Sequence, residues 1–195
     1  MNETISKMLD LVHELEQKLD EELHRRHEEL QYSINNGKII FERELLQKNK
    51  ALKDGWFKYV LNARWAVVLT APFIYSLIIP FVLLDLFVWV YQTVCFPVYH
   101  IPKVRRGDYL VFDRVKLGYL NGIQKLNCAY CSYGNGIIAY ASEVAARTEQ
   151  YWCPIKHAEK VKGRHKRYAL FVDYGDGQQY FDNLGPIRRQ FEADE

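Results

Sequence analysis

Apolar side chains in the first third of the chain fall at Met8, Val12, Leu15, Leu19, Leu23, Leu30 and Ile34, with charges such as Glu14, Lys18, Asp20, Glu21, Arg25 and Glu28 between them. The set repeats after eleven residues, as Met8, Leu19, Leu30 and as Val12, Leu23, Ile34. Three helical turns of about 3.67 residues each predict a nearly straight amphipathic stripe. Asn35-Asn36-Gly37 suits a left-handed C-cap and predicts the end of that helix. A second amphipathic stretch runs from Lys38 to Asn62, with Ile40, Phe41, Leu45, Leu52, Trp56 and Tyr59 on its apolar side. Residues 1–63 therefore read as a helical hairpin or an oligomerising coiled coil, because so long a stripe needs a partner surface. His13, His24 and His27 stand among charges and read as solvated.

The pattern then changes. From Trp65 to Val98 the only residue charged at neutral pH is Asp85, and Cys95 is the one thiol. An apolar run of 18 or more residues reads as membrane-embedded. As one helix it measures about 50 Å, longer than the roughly 30 Å hydrocarbon core. Pro72, Pro80 and Pro97 interrupt it, and two topologies follow. Either Pro80 is the tip of a re-entrant hairpin, or one kinked helix near Phe73–Val94 crosses. Lys53, Lys58 and Arg64 precede the run and Lys103, Arg105 and Arg106 follow it; basic flanks on both sides favour the hairpin, with both ends cytoplasmic. Asp85 is a candidate functional residue, since a carboxylate in apolar surroundings pairs with a cation, takes a proton, marks an oligomer interface or sits hydrated at shallow depth.

The last part, 101–195, reads as a small α+β domain. Tyr109–Arg114 is a strand candidate, Ile137–Trp152 a helix, and Tyr168–Asp173 with Gln178–Phe181 a hairpin about a Tyr-Gly-Asp-Gly turn. The fold class is thus mainly α, with 64–100 as the membrane segment between the N-terminal helices and a C-terminal domain. Cys128 and Cys131 form C-x2-C, and 21 residues later Cys153 and His157 form C-x3-H. Three thiolates and one imidazole complete a tetrahedral shell for structural Zn²⁺, with an iron or iron–sulfur centre in an electron-transfer protein as the alternative. Gly134 and Gly136 would turn backbone amides toward the sulfurs, and His165 is a substitute fourth ligand. Cys95 lies in the apolar run, so three polar-region thiols beside a histidine favour metal over disulfides and a reducing compartment.

Composition adds little. The 195 residues carry 26% charged side chains and a net charge of +2, which demands no nucleic-acid partner. A mean hydropathy of −0.27 averages a charged first third with the apolar run. That run begins about 60 residues in, behind charges, so a secretory signal peptide is not expected. Lys156, Lys160, Lys162, Arg164, Lys166 and Arg167 cluster into a basic surface suited to anionic lipid headgroups. No nucleophile motif or acid–base pair stands out. The expected function is a membrane-anchored, oligomeric scaffold that meets lipid or a protein partner through a zinc-stapled cytoplasmic domain.

Cys128–Gly136, Tyr151-Trp-Cys-Pro-Ile-Lys-His157 and the apolar run with Pro-Lys-Val-Arg-Arg after it resemble a family of uncharacterised bacterial inner-membrane proteins over roughly residues 60–165. The resemblance implies a bacterial inner-membrane setting and no particular activity.

Overall fold

The eleven-residue stripe forms α1 (Glu3–Glu29), but the expected second helix does not begin at Lys38. Tyr32–Asn35 (β1) and Lys38–Phe41 (β2) pair antiparallel, with Tyr32 opposite Phe41 and Asn35 opposite Lys38. Short runs with Tyr, Ile and Phe favour strands, and Asn-Gly between them is a hairpin-turn sequence, which outweighs the helical spacing read there. The computed structural model describes residues 3–29, 32–35, 38–41, 47, 49–53 and 55–191; Leu30, Asn36, Gly37 and Leu45 of the expected pattern lie outside them. Of the expected second helix, α2 (Trp56–Asn62) is formed, beginning after Gly55. On α1, Met8, Val12, Leu15, Leu19 and Leu23 are exposed. Among the described residues no internally paired helical hairpin is formed, and they do not support a coiled coil.

Two units divide the chain: Met1–Ala63 with Asp113–Leu126, and Arg64–Phe112 with Asn127–Glu195. In the first, Asn121 and Gln124 form a reciprocal capping box. Asn121 Oδ1 accepts from the Gln124 N–H at 3.0 Å, and Gln124 Oε1 accepts from the Asn121 N–H at 2.8 Å. Two otherwise orphaned donors are satisfied, which fixes where α5 (Gly122–Trp152) starts.

In the second unit the apolar run is α3 (Trp65–Ser76) and α4 (Ile78–Tyr99), separated by Leu77 alone. Leu77 keeps right-handed helical dihedrals, and the Phe81 N–H donates to its carbonyl at 3.2 Å, so the direction of the chain is not reversed. Pro80 stands in the first turn of α4, where a missing N–H costs nothing. The expected hairpin about Pro80, which would have brought both flanks to one side, is absent. α4 ends at His100 in the left-handed conformation (φ 55°), with its N–H turned back to Phe96 and Pro97.

The expected strands of 101–195 are also absent among the described residues. Arg106–Asp108 and Lys166–Leu170 are 3₁₀ turns. Gly177–Arg189 is helix α6, because Asp176 Oδ1 accepts from the Gln179 N–H at 2.9 Å and caps it. An isolated parallel bridge, Ile155 to Val172, is the sheet-like contact there. The C-terminal domain is therefore helical rather than α+β. Its core gathers Phe96, Ile101, Val104, Ile137, Tyr140, Val144 and Phe191.

Candidate functional site

Along α3 and α4 the sheltered positions include Tyr75, Ile78, Phe81, Asp85, Val88, Gln92, Phe96 and Tyr99, with Ala66, Ala71, Tyr91 and Cys95 half-buried beside them. Steps of three and four make one stripe, and α5 covers it. Tyr75 bonds Asn127, Asp85 bonds Tyr133, Gln92 bonds Tyr140, and the Tyr99 ring meets Tyr151. Partner numbers rise together, so the helices run parallel, as in a coiled-coil seam. Parallel neighbours need a return segment, and residues 101–110 begin it. Ile101 joins the core beside Phe96, Val104 reaches Gln92, Arg106 reaches Asp85, and the Tyr109 carbonyl lies against Gly136.

Gln92 and Asp85 hold that segment. The Val104 N–H donates to Gln92 Oε1 at 3.1 Å, and Gln92 Nε2 donates to the Val104 carbonyl at 3.3 Å and to the Tyr140 hydroxyl at 2.5 Å. A buried amide thus stands in for a neighbouring strand, satisfying both polar groups of an irregular residue. About two turns earlier on α4, Arg106 grips Asp85 with two nitrogens, at 2.9 and 2.5 Å, and the Tyr133 hydroxyl donates to the same carboxylate at 3.0 Å. Of the roles open to Asp85, pairing with a cation is the one formed.

The glycines of α5 serve this packing rather than a metal. A Cβ on Gly136 would lie 2.5 Å from the Tyr109 carbonyl oxygen, and one on Gly134 would lie 2.8 Å from the Phe81 ring. On the far side of α5, Gln150 is fully buried, accepting from Arg167 at 2.9 Å and donating to the Ile187 carbonyl at 2.9 Å. Glu143 accepts from both Arg147 (2.9 Å) and Arg167 (3.0 Å), and His165 Nε2 lies 3.0 Å from Glu149. These polar contacts fasten the segment 154–191 to α5.

The four expected metal ligands are not brought together. Cys128 and Cys131 belong to the same unbroken helix that ends just before Cys153. Twenty-five residues of helix rise put Cys128 and Cys153 about 37 Å apart. His157 stacks on Tyr168 with its ring centre 6.2 Å away, and its backbone N–H donates to the Tyr168 hydroxyl. Burial, and then the carboxylate of Glu149, push the Cys153 thiol up. Among the described residues no three His, Cys, Asp or Glu side chains are placed to hold a metal ion. Structural zinc, iron and an iron–sulfur cluster are all excluded as readings of this motif, and with them the zinc-stapled scaffold and the electron-transfer alternative.

The basic cluster is split. Arg167 is built into the polar network, and Lys156 pairs with Asp173 at 2.8 Å. Lys160, Lys162 and Arg164 remain exposed, Arg164 lying over the Tyr168 ring at 5.1 Å, and Lys166 is exposed beside them. Gln92, Gln150 and the Asn121–Gln124 box were not anticipated. The box was legible as N-x-x-Q before an apolar run, whereas nothing local distinguishes a clamping glutamine from a tolerated one.

Comparison with known protein-family models, with curated proteins and with solved structures finds no match. The helix Trp65–Tyr99, 35 residues long, is apolar and long enough to cross a membrane.

Proposed function

We propose that this chain is an integral membrane protein in which Trp65–Tyr99 enters the bilayer as its lipid-facing element. One observation carries the reading: outside the stripe that meets α5, the helix is uncharged, mostly apolar and exposed, and the hydroxyls of Thr70, Ser76 and Thr93 donate to carbonyls of their own helix. Phe73, Ile79, Leu86, Phe87, Val94 and Val98 are each more than 48% exposed. A helix apolar all round belongs in a protein core or in lipid, and here only the stripe facing α5 lies in a core. An interfacial helix would need a polar outer face, which is missing here. The one charge in the helix is neutralised by Arg106, as a carboxylate near hydrocarbon requires. At about 52 Å the helix exceeds a perpendicular crossing, and tilt or the break at Leu77 absorbs the excess. The family resemblance around Tyr151–His157 supports a bacterial inner membrane as the setting.

Membrane fractions washed with alkaline carbonate test this. The native chain is expected in the pellet. Leu83→Arg with Phe87→Arg, both on the outer face, costs about 2.5–3.5 kcal/mol per arginine near mid-bilayer and shifts the chain to the supernatant. Release of the native chain into carbonate, or a soluble chain without detergent, would overturn the proposal.

A further inference from the structure

Between α4 and α5 an apolar groove of about 400 Å³ opens on the surface, walled by Val88, Tyr91, Ala141, Ala145, Trp152 and Cys153. Its volume is that of a small-ligand site. The hydroxyls and the carboxylate on its walls are already paired, which leaves the weakly polar Cys153 thiol. The Tyr91 and Thr148 hydroxyls bond each other at 3.0 Å, and Glu149 is engaged by His165. A polar ligand finds no free partner there, whereas a hydrocarbon chain needs none. The α4 wall continues onto the outward face at Phe87 and Val94, which the membrane reading turns to lipid.

One end of the groove is electrostatically marked. Glu149 on its wall is bonded to His165, and His165 follows Arg164 in the exposed segment that carries Lys160 and Lys162. The exposed segment 160–164 is thus tied through His165 to one wall of the slot, and its cations complement a molecule with an anionic head and a hydrocarbon tail. We infer that the groove holds one acyl chain of an anionic phospholipid, with the headgroup phosphate drawn by Lys160, Lys162 and Arg164. This rests on the membrane reading and adds to it a defined site in place of a general annulus. A zwitterionic lipid, an apolar peptide or detergent alone are the competing occupants.

Native mass spectrometry of the full chain in detergent, with phosphatidylglycerol or phosphatidylcholine added, decides between them. The expected result is retained phosphatidylglycerol in at least tenfold excess over phosphatidylcholine. Ala145→Trp fills the slot from an exposed helical position and abolishes retention; Ala141→Leu, a smaller filling of the same wall, lowers it. Replacing Lys160, Lys162 and Arg164 by Gln keeps a chain in the slot but removes about tenfold or more of the preference for the anionic lipid. Each variant is checked for an unchanged melting profile. A native chain that retains no lipid, an Ala145→Trp chain that retains as much, or equal retention of the two lipids overturns the site. Carbonate extraction is read separately, so a chain that stays in the membrane yet binds no lipid condemns the groove and spares the anchor.

Discussion

At the scale of single residues, Gln92 carries more than its type suggests. Three hydrogen bonds converge on one buried amide. Gln92→Ala leaves the Val104 N–H and carbonyl unpaired and is expected to cost about 2–4 kcal/mol in denaturant unfolding. Gln92→Glu still accepts from the N–H but cannot donate, so it falls between. Cys153 gives a second expectation. Burial and Glu149 raise its thiol, so at pH 8 it alkylates more slowly than free cysteine, and its rate keeps climbing beyond the pH at which a thiol of ordinary pKa, about 8.5, levels off. A profile matching free cysteine would remove that environment. Cysteine and histidine spacing misled because ligand spacing is one-dimensional. C-x2-C puts two thiols on one helical face as readily as on a loop, and only the uninterrupted helix shows that the other pair lies far away.

At the scale of elements, α5 illustrates what a sequence displays and what it conceals. Its second half was legible from the apolar spacing of Ile137–Trp152. Its first half was masked by Gly134 and Gly136, which resemble loop residues but let Phe81 and the Tyr109 backbone approach. Gly136→Ala therefore opposes two effects. Helix propensity gains about 1 kcal/mol, but the new Cβ meets a backbone oxygen that cannot step aside, and a net loss of about 1–3 kcal/mol is expected by thermal unfolding. Gly134→Ala meets a ring edge that can turn, and loses less. Stabilisation by Gly136→Ala would show that the return segment is not packed there. The Tyr-Gly-Asp-Gly stretch suits a hairpin turn by sequence; in the structure Asp176 caps α6, and Ile187 on that helix is buried.

At the scale of the whole molecule, the apolar helix was legible because composition over many residues outweighs any local ambiguity, and the absence of a reversal at Pro80 was not, because a proline serves a turn and a first helical turn equally. The account stands on that helix facing lipid. A nitroxide at Val82, half-exposed on α4, tests it most directly, in the chain with its four cysteines replaced by alanine and reconstituted into phospholipid vesicles. Relaxation of the label by dissolved oxygen well above that by a water-soluble nickel chelate is the predicted result. Relaxation dominated by the nickel chelate would place Val82 in water and contradict it.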